Sequence, residues 1–237
     1  MEAFLYGVSL QWKLDIRSKT LLITCYIVPL LFFAIMGGIF TSVMSGARHT
    51  LIQSMTVFGV TMGALIGLPP SLVEIYRSDI KKVYKANGVP LYLGLVLTNI
   101  SAYIHLFIMS IILYFAAPLA FNAKIPDNPG RYFITLAIFI AILLSIASII
   151  GLAVKDQAKT SMVSIIIFLP SIMLSGIMFP IELLPKAFET VGKIFPASWG
   201  YKLMTDSTFR FENLLPLMAI LALAIFMCII LLRKIDK

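Results

Sequence analysis

Long apolar runs separated by short polar connections make up most of this chain. A helix that crosses the hydrocarbon of a bilayer needs about 20 mostly apolar residues, at a rise of about 1.5 Å each. Six runs are long enough: 21–43, 52–72, 91–117, 132–154, 160–180 and 213–232. The pattern therefore predicts an all-α membrane protein with six transmembrane helices.

The composition excludes an ordinary soluble domain. Hydrophobic residues make up 60% of the chain, charged residues make up 13%, and the mean hydropathy is +0.98, whereas a soluble domain needs a mostly solvated surface. Cys25 and Cys228 lie inside apolar runs, which favours buried thiols over a disulfide or a metal site. Because the polar connections are short, we expect residues 1–237 to form one membrane domain.

The distribution of Lys and Arg predicts which side of the membrane each connection faces. If the N-terminus is inside, twelve of the nineteen basic residues fall in cytoplasmic segments, as the positive-inside rule requires. We therefore expect a multi-pass protein of the cell (plasma) membrane with both termini in the cytoplasm. The net charge of +8 reflects this inner excess and requires no nucleic-acid partner.

Groups that could carry chemistry are scarce inside the predicted spans. They contain no Asp, Glu, Lys or Arg, and His105 is the one histidine among them. Ion-coupled carriers usually place acids or bases at such depths. His105 is interpreted either as an interhelical hydrogen-bonding group or as a substrate contact. No P-loop, HExxH, CxxC or GxSxG motif occurs, so we predict no catalytic or metal-binding residue, and the energy for transport must come from elsewhere.

The longest predicted cytoplasmic connection, residues 69–90, has the pattern of an amphipathic helix. Ser71 and Glu74 have the spacing of a capping box, and Asn87–Gly88 supply a left-handed stop. One face holds Tyr76, Ile80, Val83 and Tyr84, and the other holds Arg77, Lys81, Lys82 and Lys85. Two interpretations remain open: a basic loop that lies on anionic lipid, or a coupling helix that docks on a cytoplasmic ATPase.

The N-terminal residues 4–18 predict an elbow helix at the membrane interface. Its apolar side would be formed by Phe4, Leu5, Val8, Trp12 and Ile16, although Leu10 and Leu14 interrupt the pattern. Helices of this kind lie in the interface with one side in the hydrocarbon.

Three glycines in the second predicted span recur every four residues. Gly59, Gly63 and Gly67 therefore share one side of a helix, where the absence of side chains lets another helix approach closely. The stripe is interpreted as ordinary helix packing or as a moving contact along a transport route.

The segment that follows the fifth apolar run is neither a span nor a free loop. Pro180 and Glu182 interrupt the run, Pro185 suits a first helical turn, and Pro196 would stop the short helix that carries Phe188. Irregular backbone at membrane depth is tolerated only where protein or water satisfies it. Residues 181–200 therefore predict a re-entrant element in the outer leaflet, with an interfacial loop as the alternative.

Residues 171–204 resemble the signature region of the ABC-2-type permeases, the membrane subunits of ATP-driven exporters. In that family an S-G-x-x-x-P run closes the fifth span, and outer re-entrant helices with further prolines follow. The residues that match are Ser175, Gly176, Pro180, Pro185 and Pro196. Elsewhere the match is weaker, since the basic run YRSDIKKVYK replaces the acidic and small residues that usually follow the loop glutamate.

The resemblance implies roles for particular residues. ATPase coupling would involve Glu74, Tyr76, Arg77, Ile80, Lys81, Lys82 and Tyr84. The translocation route or the re-entrant region would involve the five matching residues together with Glu182, Phe188 and His105.

The resemblance also implies a half-transporter. Two permease chains in the bilayer, expected as a homodimer or as this chain with a close relative, would pair with two copies of an ATPase subunit that binds ATP and Mg²⁺, while this chain binds no cofactor. The absence of charge at depth favours an amphipathic or hydrophobic cargo such as an antimicrobial or toxin-like peptide, a drug or a lipid. The alternatives are a secondary carrier or channel, or a membrane protein that confers immunity to a peptide without its own ATPase.

Overall fold

The computed structural model describes residues 2–44, 46–179, 181–206 and 211–236, without the side chains of residues 2, 3, 20 and 182. These residues form helices and connecting turns but no strand. In chain order the helices are α1 (Glu2–Arg17), α2 (Lys19–Leu22), α3 (Val28–Val43), α4 (Leu51–Met62), α5 (Leu68–Arg77), α6 (Ile80–Ala86), α7 (Leu91–Phe121), α8 (Pro129–Ala153), α9 (Gln157–Met173), α10 (Lys186–Gly192), α11 (Pro196–Thr205) and α12 (Phe211–Asp236). Two π-helical segments, Ile23–Ile27 and Gly63–Gly67, join α2 to α3 and α4 to α5.

Five continuous helical stretches are long and apolar enough to cross a membrane. They are Ile23–Val43, Leu51–Arg77, Leu91–Phe121, Pro129–Ala153 and Phe211–Asp236, which we call spans 1, 2, 3, 4 and 6. The fifth predicted run behaves differently, because α9 has 17 residues and measures only about 26 Å.

The expected end of the fifth run at Pro180 is wrong. α9 ends at Met173, and residues 174–176 form a turn in which Gly176 has a φ of +84°. A left-handed backbone of this kind stops a helix, and glycine adopts it without a steric penalty. Pro180 itself lies outside the described residues, and the side chain of Glu182 is likewise not described.

Span 2 forms the centre of the molecule. In its most apolar window 89% of the residues are buried, against 22% in span 1 and 17% in span 6. A buried hydrogen bond of 2.7 Å between the hydroxyls of Thr56 and Tyr132 links it to span 4. Spans 1 and 6 lie at the periphery, where most of their apolar side chains face outward.

The glycine stripe is the surface on which span 2 packs against its neighbours. A Cβ atom on Gly59 would lie 2.7 Å from Met109, one on Gly63 would clash with Leu106, and one on Gly67 would lie 3.0 Å from Thr24. Spans 1 and 3 therefore approach span 2 through these three positions, as helix packing predicts.

The expected course of the inner connection is wrong at its beginning and right at its end. Pro69 and Pro70 do not end span 2: they lie directly after the π-helical segment Gly63–Gly67, where such local adjustments accommodate proline inside a spanning helix, and the helix runs on to Arg77. Ser71 and Glu74 therefore lie inside a helix and form no capping box. At the other end Gly88 has a φ of +64°, and the amide of Val89 donates to the carbonyl of Tyr84, as the left-handed stop predicts.

Candidate functional site

The predicted coupling segment is a corner made of two helices rather than one continuous helix. α5 ends at Arg77, Ser78 is extended with φ −97° and ψ −176°, and α6 begins at Ile80. The Ser78 hydroxyl oxygen accepts a hydrogen bond from the amide of Ile80 at 3.2 Å. Because the sequence predicts that this segment faces the cytoplasm, we call residues 74–86 the inner corner.

The aromatic residues of the inner corner face the protein. Tyr76 is 1% exposed; its hydroxyl donates to the carbonyl of Leu91 at 2.7 Å and accepts from the amide of Leu95 at 2.9 Å. The Tyr84 ring packs against Gly94, where a Cβ atom would lie 3.2 Å from it. These two tyrosines hold the corner against the start of span 3, and the buried Tyr76 cannot itself contact a partner.

Three of the four basic residues of the corner bind the ends of other spans. Arg77 donates to the carbonyl of Leu152 at 2.9 Å, in the last turn of α8. Lys81 donates to the carbonyl of Ile235 at 2.5 Å, and Lys85 binds both the carbonyl and the carboxylate of Asp236. A helix ends in carbonyls that lack partners and carries partial negative charge there, so these cations stabilise the C-terminal ends of spans 4 and 6.

The remaining side chains of the corner form an exposed surface of mixed character. Glu74, Ile80, Lys82 and Val83 are all exposed, and we call these four the corner surface. Lys82 is 83% exposed and pairs with Asp79 at 2.7 Å, a contact that lowers the pKa of Asp79 through the hydrogen bond and the charge of Lys82. An ion pair in full contact with water adds little to stability, so its charges are free to meet a partner.

At the other end of the molecule, α3, α4, α10, α11 and the turn after α9 line a partly open cavity of about 570 Å³. Its walls include Phe40, Leu174 and Ile177, whereas Glu189 and Lys193 contribute an ion pair of 2.9 Å. Because the sequence predicts that this end faces outward, we call it the outer cavity. The combination of apolar walls and charged groups suits an amphipathic molecule.

Only some of the residues predicted for the translocation route or the re-entrant region lie at the outer cavity. Gly176 lines the outer cavity, whereas Ser175 and Pro196 are buried beside it. Phe188 is exposed, and Pro185 precedes α10. The expectation that Pro196 stops the helix that carries Phe188 is wrong, because α10 already ends at Gly192. Pro196 is instead the first residue of α11, a position whose missing N–H costs nothing.

His105 lies far from this cavity in the fold, between α1 and span 1. The Trp12 ring stacks on the imidazole with centroids 4.1 Å apart, and the Tyr26 hydroxyl is hydrogen-bonded to Nδ1 at 2.8 Å. This is the interhelical hydrogen bond that the packing interpretation predicts.

The apolar residues predicted for one side of the elbow helix divide between two surroundings, since Val8 and Trp12 are half-buried against the protein. Phe4, Leu5 and Ile16 are exposed, whereas Asp15, which the pattern did not single out, is 5% exposed. The protein-facing side of α1 is therefore polar at its C-terminal end. The sign of this in the sequence was the position of Leu10 and Leu14, which interrupt the apolar pattern and are both exposed in the structure.

Comparison with known families decides the class of the chain. Residues 2–209 match the model of the ABC-2 type transporter family. The chain belongs to this family. No curated protein matches it significantly.

Membership in the ABC-2 family agrees with the helical architecture. The chain is a membrane domain of ABC-type transport, and such domains generally work with ATPase partners. Among the described residues no group of three or more His, Cys, Asp or Glu side chains is arranged to hold a metal ion.

Proposed function

We propose that this chain is the membrane subunit of an exporter of the plasma membrane, driven by a separate ATPase. Two ATPase subunits bind and hydrolyse ATP with Mg²⁺, and a second copy of this chain completes the membrane part. The observation that supports this proposal most directly is the inner corner. It exposes one surface, and its other side chains bind spans 3, 4 and 6.

The contacts of the inner corner define a path for force. An ATPase that presses on the corner surface displaces α5 and α6 together. Tyr76 transmits the displacement to span 3, Arg77 transmits it to span 4, and Lys81 and Lys85 transmit it to span 6. Because hydrogen bonds to charged groups are stronger than neutral ones, spans 4 and 6 move with the corner rather than slide past it. The two hydrogen bonds of the buried Tyr76 hold span 3 to the corner as well.

The topology in the proposal has six crossings and cytoplasmic termini. α9 follows a connection that contains Lys155 and Asp156 and leads to the outer cavity, so with the turn at residues 174–179 it serves as a short fifth span. α1 acts as the elbow on the inner side, and α10 and α11 form the outer re-entrant pair. Trp199 joins that pair by donating to the carbonyl of Lys193 at 2.7 Å.

The outer cavity supports an amphipathic cargo such as a peptide, a drug or a lipid. Its walls offer aromatic and aliphatic contacts, and Lys202, whose ammonium lies 6.0 Å from the Trp199 ring, adds a further charge. A bare ion would gain nothing from these apolar walls.

Co-purification tests the coupling surface. The double variant Lys82→Glu/Val83→Asp changes only exposed side chains, and it should abolish the stoichiometric recovery of an ATPase with the detergent-solubilised protein. Lys155→Glu, a charge reversal at an exposed residue of the connection before α9, is the matched control and should retain the ATPase.

The test is informative only if the variants fold alike, which unfolding midpoints establish. An ATPase recovered at the wild-type ratio with the double variant would show that the corner surface is not its docking site. Failure of the wild-type chain to retain any ATPase would reject the proposed partnership itself.

A further inference from the structure

α1 brings a carboxyl group to the side of span 3. The amide of Gln11 donates to Asp15 Oδ1 at 2.9 Å. The second oxygen, Oδ2, has no hydrogen-bond partner in the described part of the chain. A buried polar atom without a partner costs about 1–3 kcal/mol, and an unpaired buried charge costs more.

Two groups on span 3 are unpartnered at the same place. The Ser101 hydroxyl, which is 0% exposed, and Nε2 of His105 have no hydrogen-bond partner among the described residues. Ser101 lies close enough to Asp15 to lower its pKa, although the present orientation of the two groups closes no hydrogen bond. Asp15 and Ser101 therefore face each other across the contact between α1 and span 3.

No basic side chain neutralises Asp15. Within the described residues it forms no ion pair with Lys or Arg, and the nearest cations in sequence, Lys13, Arg17 and Lys19, are exposed. The other titratable groups of the contact are Cys25 and Tyr26 of span 1 and His105 of span 3. Burial raises the pKa of Asp15, against the lowering effect of the Ser101 and Gln11 side chains.

We propose that Asp15 and Ser101 form a buried proton-binding site that docks α1 on span 3. In the docked state Oδ2 carries a proton, and the neutral carboxylic acid shares a hydrogen bond with Ser101 Oγ. When Asp15 releases this proton to water, a carboxylate without a counter-charge remains, and α1 moves away from span 3. The site goes beyond the proposed exporter function, because it depends on neither cargo nor ATPase.

The sign of the pH dependence follows from linkage. Since docking raises the pKa of Asp15, the docked state gains its full stabilisation below the ordinary aspartate pKa of 3.8 and loses it as the pH rises through the higher docked value.

Trp12 provides an intrinsic reporter of docking. It lies one helical turn before Asp15 and stacks on His105, and the chain contains two tryptophans, so Trp199→Phe leaves Trp12 as the single emitter. In the full chain reconstituted in lipid, Trp12 emission should change in one step as the pH rises, with a midpoint above 3.8.

Asp15→Asn is the decisive variant, because its amide imitates the protonated acid. It should keep the docked emission at every pH and should lose the infrared carbonyl band of a protonated carboxylic acid. A pH step that persists in Asp15→Asn, or undocked emission of this variant throughout, would overturn the proposal.

A second variant keeps the proposal testable if Asp15→Asn does not fold. Ser101→Ala removes the hydrogen bond that the protonated acid shares with Ser101 Oγ, a contact made only in the docked state, so the midpoint of docking should move to lower pH. The matched control is Ser110→Ala on the same helix, since the Ser110 hydroxyl bonds to the carbonyl of Leu106 and should leave the midpoint unchanged. An unchanged midpoint in Ser101→Ala would also overturn the proposal.

Discussion

Lys81 donates a 2.5 Å hydrogen bond to the carbonyl of Ile235, a residue 154 positions later in the chain. The contact joins the inner corner to the last turn of span 6. Positive charge on the inner side of a membrane protein is usually explained by topology alone. Here one of those charges has a defined partner, so the loop and the end of span 6 behave as one unit.

This contact predicts a local effect of Lys81→Met. The last turn of α12 loses a charged donor, which is worth about 1 kcal/mol at a partly exposed position. Amide hydrogen exchange at residues 233–236 should therefore become about fivefold faster. Lys82→Met is the control, because Lys82 pairs only with the exposed Asp79; equal rates in the two variants would contradict the role assigned to Lys81.

Gly151 is the second position that predicts a measurable change. A Cβ atom there would lie 2.7 Å from Leu72 Cβ and 3.0 Å from the carbonyl oxygen of Pro69, and neither atom can move without shifting α5. Gly151→Ala should lower the stability by about 1–3 kcal/mol, seen as a lower unfolding midpoint. Gly38→Ala is matched in type, but its Cβ would meet only Phe121 at 3.8 Å, so it should be neutral or stabilising.

The turn that ends α9 depends on Gly176 for two separable reasons. Its φ of +84° disfavours any side chain, and a Cβ atom would lie 2.6 Å from Ile181. Gly176→Ala should therefore reduce thermal stability by about 1–2 kcal/mol from the backbone alone, and further from the clash. Adding Ile181→Ala should restore only the steric part, whereas full restoration would show that the backbone conformation is not strained. Gly46→Ala, on the same cavity but with nothing within 4 Å, should have little effect.

The charged groups of the outer cavity predict a titration. The hydrogen bond and charge of Lys193 hold the pKa of Glu189 below its usual value, with smaller contributions from Lys202 and Lys186. Lys193→Met should raise the Glu189 pKa toward that of a free glutamate, so that Glu189 becomes neutral at a higher pH. Carbon NMR of labelled glutamate measures this, and Lys202→Met should produce a smaller change. A larger change in Lys202→Met would show that Lys193 is not the main partner.

Local patterns predicted the parts of the fold that depend on local physics. The left-handed stop at Gly88 and the close approach of helices at Gly59, Gly63 and Gly67 follow from what glycine permits, whatever surrounds it. The end of the fifth run was predicted too late because Pro180 looked like the stronger breaker. The turn forms earlier, at Gly176, where α11 and the segment after the turn pack on the end of α9.

The sequence patterns could not predict contacts between segments that are distant in the chain. The pattern placed Arg77, Lys81 and Lys85 on one basic face, but their acceptors are carbonyls at the ends of α8 and α12, and every helix end offers such groups. Asp15 was missed for the same reason: its neighbour Ser101 lies on span 3, and an isolated acid in an amphipathic segment is indistinguishable from a solvated one.

The outward side of α1 has a practical consequence for handling the protein. Leu5, Leu10 and Leu14 point away from the side that carries Asp15. This side of α1 is therefore shielded from water only when lipid or detergent covers it. Extraction into small micelles removes the lipid around α1 before it disturbs span 2, which is buried among the other spans. Preparations should therefore be chosen by whether Trp12 still stacks on His105, because a loss of that stacking would be the earliest sign of over-delipidation.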